Sequence, residues 1–272
     1  MFDPRPIGIF DSGVGGLTVL DALVRRFPDE GFIYLGDTAR VPYGTKSART
    51  VERYSVQVAD CLLRRGVKGL VVACNTASAL GLGALRAHCT TPVLGVIEPG
   101  CRKASGITAG LSRPGRVGVI GTRSTVASGA YPDHLADLDP RIRVISLACP
   151  MFVPLVEEGW LDHPAVRLIV EETLAPLRSQ PMDALILGCT HYPLLAPVIS
   201  AVMGPELTLV DSSSAVAEEL GNYLGGVIAP APPGGEARKV EFLVTDVADR
   251  FKEMATRFIA GMDEAMVEMV DL

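Results

Sequence analysis

Short runs of Val, Ile and Leu punctuate the chain, and most lack the in–out alternation of a strand with one wet face. Continuous apolar runs of this kind mark strands covered on both sides, the environment of a parallel sheet. They predict strands at residues 7–11 (IGIFD), 31–36 (GFIYLG), 69–73 (GLVVA) and 92–97 (PVLGVI). A second series follows at 116–121 (RVGVIG), 143–148 (RVISLA), 183–188 (DALILG) and 207–211 (LTLVD). Parallel neighbours cannot be joined by a tight turn, so each interval must hold a crossover, usually a helix. The interval 47–65 has helical spacing: Val51, Tyr54, Val58 and Leu62 fall on one stripe, and Gly66 supplies a stop. Repeated strand–helix units with right-handed crossovers define an α/β fold.

At 272 residues the chain has room for about two domains of roughly 150 residues. The two series of strands predict two pseudo-symmetric lobes, each a mainly parallel sheet flanked by helices, with the active site in the cleft between them. The first boundary is expected near Pro99 and Gly100, and a return crossing near Asp211. Residues 1–98 with 212–272 then make the first lobe, and 99–211 the second. Within 212–272, the Gly/Pro-rich stretch 225–235 (GGVIAPAPPGG) must be a loop. A strand at 239–245 (KVEFLVT) and a helix at 247–260 follow. Val247, Phe251, Met254 and Phe258 give that helix an apolar face, and Gly261 ends it.

Charge narrows the partners. With 25 Lys and Arg against 31 Asp and Glu, the net charge of −6 offers no basic face for a phosphate backbone, so nucleic acid is not an expected partner. Segments 69–85 and 184–205 lack charged residues, but polar residues and prolines interrupt them. Neither matches the roughly 20 mainly apolar residues of a membrane span. The start MFDPRPIGIF shows no basic region leading into an apolar one, so no signal peptide is expected and the location is read as cytoplasmic. Cys61, Cys74, Cys89, Cys101, Cys149 and Cys189 form no C-x-x-C pair, which supports neither a zinc ribbon nor a disulfide scaffold. In a reducing compartment they are free thiols, most of them small buried apolar groups.

Ligands of open parallel sheets bind beyond the carboxyl ends of the strands, so those ends carry the chemistry. The first run ends in Asp11-Ser12-Gly13, followed by Val14-Gly15-Gly16; the second leads into GDTARVPYG at 36–44. The third ends at Ala73-Cys74-Asn75-Thr76, and the run 183–188 ends at Gly188-Cys189-Thr190-His191. Cys74 and Cys189 thus occupy the same place in a strand-to-helix turn, one in each lobe. A lone cysteine at a strand end usually just packs. Two in matching contexts, in lobes that face each other, can approach a ligand from opposite sides, each beside a helix N-terminus that favours the thiolate.

The residues beside these turns bear on the same chemistry. Gly13, Gly15 and Gly16 lack the G-x-G-x-x-G spacing and no Walker lysine follows, so a tight turn letting Asp11 and Ser12 face a small anion is the better reading than a nucleotide fingerprint. His191 is open to three readings: a metal ligand, an acid/base or a buried structural histidine. Its place two residues after Cys189 favours proton exchange with that thiol. Asp11 is placed to do the same for Cys74, where a carboxylate also disfavours the thiolate. Cys74, Cys189 and His191 match no established zinc spacing, so no metal is expected. Glu157 and Glu158 follow Pro150 and Pro154, which fix the course of their loop. Paired glutamates usually form a solvated helix end; here one of them is a candidate to face the cleft.

Five blocks now stand together: GIFDSGVGGL at 8–17, GDTARVPYG at 36–44, ACNTAS at 73–78, CPMFVPLVEEG at 149–159 and LGCTHYPLL at 187–195. Jointly they resemble the glutamate racemases of the aspartate/glutamate racemase family, which make D-glutamate for bacterial peptidoglycan without a cofactor. The resemblance implies that Cys74 and Cys189 are the acid/base pair, Cys74 acting on the D-isomer and Cys189 on the L-isomer. It implies that Asp11 assists the first thiol and His191 the second, with Glu157 supporting the second side. It carries substrate contacts to Asp11 with Ser12, Tyr43 with Gly44, Asn75 with Thr76, and Thr190 with His191. It also implies a small-molecule substrate, L- or D-glutamate, no cofactor and a homodimer. The chemistry agrees: inversion removes a proton from one face of Cα and returns one to the other, and thiols with an ordinary pKa of about 8.5 can serve as either acid or base.

Overall fold

A computed structural model gives the fold and describes residues 1–234, 240–259, 262 and 265–272. Its strands are β1 (Ile7–Asp11), β2 (Phe32–Gly36), β3 (Gly69–Val72), β4 (Val93–Gly95), β5 (Arg116–Gly121), β6 (Arg143–Ala148), β7 (Ala184–Gly188), β8 (Thr208–Asp211), β9 (Val240–Val244) and β10 (Val267–Met269). Six of them form a sheet in the order β10-β9-β2-β1-β3-β4, and four form a second in the order β6-β5-β7-β8. Every pairing is parallel.

The strand pattern explains the covering. In β1, Ile7 and Ile9 point into one apolar cluster and Phe10 into another on the opposite face, as a period of two requires. The helix Ala48–Arg64 seals the second face with Val51, Val58 and Leu62, all fully buried. Ser47 caps that helix by accepting from Thr50 N–H, and Gly66 beyond its end takes φ +76°. The first cluster runs without a break from Ile7 in one sheet to Ile186 in the other. Helix Ser212–Tyr223 carries it, packing on both Leu17–Arg26 and Ile97–Thr108.

Several expectations shift at their edges. The run 92–97 is a strand only over Val93–Gly95, because Ile97 already opens a helix whose buried face holds Cys101 and Ala104. The helix expected at 247–260 is helical over Ala248–Ala255. Val247 sits before it at φ +48° and is half exposed, so it does not share the apolar face of Phe251. Gly235, Lys239, Ala260 and Gly261, which bounded the expected loop, strand and helix, lie outside the described residues. Strand β10 was not anticipated; its run is too short and polar to signal burial, and it pairs at the sheet edge. Cys61, Cys101 and Cys149 are buried free thiols, whereas Cys89 is only partly covered. No helix among the described residues is long and apolar enough to cross a membrane.

Candidate active site

Both sheets place a topological switch point at a cysteine. In the first, β1 lies between β2 and β3, so the chain leaves β1 and β3 towards opposite sides and a crevice opens at their carboxyl ends. Ser12 follows β1 there and Cys74 follows β3. In the second, β5 lies between β6 and β7, and the crevice falls between Thr122 and Cys189. The two crevices merge into one cavity of about 320 Å³, within the range of small-ligand pockets at ~300–1,000 Å³.

Ser12, Tyr43, Gly44, Cys74, Asn75, Thr76, Glu157, Cys189, Thr190 and His191 all line that cavity. Asp11 does not. It lies behind Ser12, buried, with Oδ2 accepting from Gly13 N–H at 3.0 Å and Oδ1 without a partner. Of the glutamate pair, Glu157 faces inwards while Glu158 ends the helix Phe152–Glu157 on the exposed side.

The two thiols have different surroundings. Cys74 caps the helix Asn75–Leu80: its Sγ accepts from Ala77 N–H at 3.4 Å and lies 3.7 Å from Ser12 Oγ, to which the thiol donates. Burial, followed by the nearby Asp11 charge, pushes the Cys74 thiol up to about 12, so at neutral pH it holds its proton. Burial likewise raises the Asp11 carboxyl, against the opposing pull of His191. Cys189 instead has a ring beside it. His191 Nδ1 is 3.8 Å from Cys189 Sγ, and Nε2 is 3.0 Å from Glu157 Oε1. Burial alone would lower the His191 pKa, but the hydrogen bonds to Cys189 and Glu157 outweigh it and hold the imidazolium to about 10. Protonated on both nitrogens, the ring donates to the carboxylate on one side and towards sulfur on the other.

The lobes meet tightly around these groups. Thr18 Oγ1 donates to Thr190 O at 3.1 Å, and a methyl group on Gly15 would stand 2.5 Å from His191 Cε1 and Nδ1. Ser124 Oγ donates to Gly44 O at 2.9 Å, which fixes the Tyr43–Thr45 turn against the second sheet. The wall behind that turn is set by Asp37, fully buried, which accepts from Tyr43 OH at 2.5 Å, Arg40 Nε at 2.7 Å and Thr245 Oγ1 at 2.9 Å. Thr76, Thr122 and Thr125 close a ring of hydroxyls at 3.0 Å each.

Sequence reasoning missed several of these. Thr122 stands at the end of β5, a strand end that could have been read like the others. Arg123, the only Arg or Lys lining the cavity among the described residues, follows it. Arg257 gave no signal, and Phe258 read only as part of an apolar helix face: Arg257 Nη1 donates to the backbone oxygen of Glu157 at 2.5 Å, and the Phe258 ring meets the His191 ring edge-on at 5.6 Å. Among the described residues no group of three or more His, Cys, Asp or Glu side chains is arranged to hold a metal ion.

The Asp/Glu/Hydantoin racemase profile matches residues 7–220, which include both cysteine turns. The chain belongs to that family. It is 49% identical over 258 residues to a glutamate racemase of Geobacter metallireducens, covering 94% of this chain and 93% of that one. In three dimensions it is similar to a glutamate racemase from Bacillus anthracis, with TM-score 0.90 and 38% identity over 98% of both chains. A glutamate racemase from Francisella tularensis, solved in complex with D-glutamate, matches with TM-score 0.90 and 34% identity, covering 99% of this chain and 98% of that one.

Proposed function

We propose that the protein is a glutamate racemase that interconverts L- and D-glutamate by passing protons between Cys74, Cys189 and the two faces of Cα, and so supplies D-glutamate for peptidoglycan. The observation that carries the reading is that two cysteines from separate sheets line a single cavity. In the L-to-D direction Cys189 takes the α-proton, and Cys74, held as a thiol, gives its own proton to the opposite face. The C–H electron pair stays on Cα and its carboxylate in the planar intermediate. Hydroxyl and backbone donors at Ser12, Thr76 and Thr190 supply fixed dipoles for that developing charge. His191 with Glu157 serves the Cys189 side, and Asp11 serves Cys74 from behind Ser12. Tyr43 and Gly44 suit the distal end of the substrate. We take residues 1–98 with 212–272 as one lobe and 99–211 as the other, acting in the cytoplasm as a homodimer without a cofactor.

The test is optical. Purified protein with L-glutamate and no added cofactor should lose ellipticity to a racemic end point, and in D2O the D-glutamate formed should carry deuterium at Cα. Cys74→Ala and Cys189→Ala should each abolish inversion. The Cys189–His191–Glu157 alignment also favours a second reading, a hydrolase with a thiol nucleophile. That reading has no use for Cys74 and expects a covalent acyl-enzyme; product that keeps its original α-proton would sink the racemase.

A further inference from the structure

Tyr131 does not line the cavity, yet it touches the neighbours of both thiols. Its side chain, on helix Ala130–Leu138, is only 1% exposed. Its hydroxyl accepts from Asn75 Nδ2 at 2.8 Å, and Asn75 directly follows Cys74. Nδ2 also donates to Ser212 Oγ at 2.9 Å, where the chain enters the helix after β8. The edge of the same ring packs on Gly188, the residue before Cys189: a methyl group built on Gly188 would stand 3.1 Å from Tyr131 Cε2. Burial raises the Tyr131 pKa above that of an ordinary phenol, so the hydroxyl is neutral at neutral pH.

We infer that Tyr131 is a positioning residue that holds the Cys74 turn in alignment with the Cys189 turn across the cleft. The inference rests on the two-thiol reading above. The hydroxyl-bearing end of a flat, rigid ring meets both turns at once, its oxygen bonded to Asn75 and the adjacent Cε2 and Cζ packed at Gly188, and so sets a spacing between them that a flexible side chain would not. That spacing matters because the sulfurs must stand on opposite faces of one carbon, and a misplacement of about 1 Å can cost on the order of 100-fold in rate. Removing the hydroxyl also leaves an Asn75 N–H with one acceptor fewer in a buried site, which frees the turn to shift.

Misalignment has a signature that a fold defect lacks. After one thiolate takes the α-proton, the planar intermediate is either protonated by the opposite thiol, giving inversion, or reprotonated from the side it left. If the opposite thiol is displaced, the second path gains, and solvent exchange at the first sulfur places deuterium in unconverted substrate. Tyr131→Phe keeps the ring and loses the hydroxyl. In D2O with L-glutamate it should lower kcat for inversion by on the order of 10- to 100-fold. The ratio of deuterium in recovered L-glutamate to D-glutamate formed should rise above the wild-type value. A smaller fraction of folded enzyme would lower exchange and inversion together and leave that ratio unchanged. Ser212→Ala, which removes the second acceptor of Asn75, should move the ratio in the same direction and serves if Tyr131→Phe does not fold. An unchanged ratio in whichever variant folds overturns the inference. Wild-type protein that turns over no glutamate would strike the two-thiol reading itself, and this inference with it.

Discussion

Glu157 and His191 meet through a hydrogen bond of 3.0 Å from Nε2 to Oε1, which commits the other ring nitrogen to the Cys189 side. The His191 pKa is raised from 6.5 to about 10, so its charge contributes stability that is complete below pH 6.5 and is lost as pH rises through about 10. The imidazole should therefore stay protonated at pH 8 in an NMR titration, unlike an ordinary histidine. Glu157→Gln keeps an oxygen that can accept from Nε2 but removes the carboxylate charge that helps hold the proton, so the titration and the alkaline limb of kcat should both move to lower pH. A fall in kcat on the order of 10-fold is expected, less than the ~10²–10⁴ lost with a group that transfers the proton itself. An alkaline limb that does not move would separate Glu157 from the proton chemistry.

On the other side, Cys74 is kept protonated by burial and then by the charge of Asp11. Asp11→Asn removes that charge while keeping an acceptor for Gly13 N–H. The Cys74 pKa should fall, and alkylation by iodoacetamide at fixed pH should speed up, followed by mass spectrometry of the Cys74 peptide in a Cys189→Ser background. A rate that stays the same or slows would mean that Asp11 acts only through the turn it supports.

How far these residues were legible depends on what signals them. Strand ends were readable because a buried parallel strand is a continuous apolar run, and its carboxyl end is where polar residues abruptly begin; Cys74, Cys189 and Ser12 all emerged in this way. Thr122 stands at an equivalent end but looks like any helix cap, a role it does fill by accepting from Thr125 N–H. Asp11 was read as facing the ligand because it ends β1, yet side chains alternate along a strand and it turned inwards. Tyr131 and Arg257 were out of reach. Each acts through a partner distant in sequence, and no local period or spacing encodes such a contact.

Arg257 tests that last point. Its guanidinium donates to the Glu157 carbonyl and so carries the C-terminal segment to the Cys189 side. Arg257→Ala should cost the ~1.5–3 kcal/mol of a hydrogen bond from a charged donor in stability. Because its effect passes through Glu157, the double variant with Glu157→Gln should lose less kcat than the two single losses multiplied. Fully multiplicative losses would show that the two act independently.

The seam between the lobes can be probed where it is tightest. Gly15 has a backbone that any residue can adopt, so only space keeps it a glycine, unlike Gly66 at φ +76°. A methyl group there would meet Thr190 Oγ1 and stand 2.5 Å from His191 Cε1 and Nδ1. Something must move, and the nearest atoms belong to the two side chains that follow Cys189. Gly15→Ala should therefore cost ~1–3 kcal/mol in unfolding free energy, as overpacking does, and lower kcat by on the order of 100-fold through the displaced ring. Gly83 is the control: exposed in helix Leu82–His88, it has open space where a methyl group would go. Gly83→Ala should stabilise by ~0.4–1 kcal/mol and leave the kinetics alone. Should Gly15→Ala unfold at the wild-type temperature with kcat intact, the two lobes must separate easily enough to admit the methyl group, and the close approach at His191 would not be what positions the ring.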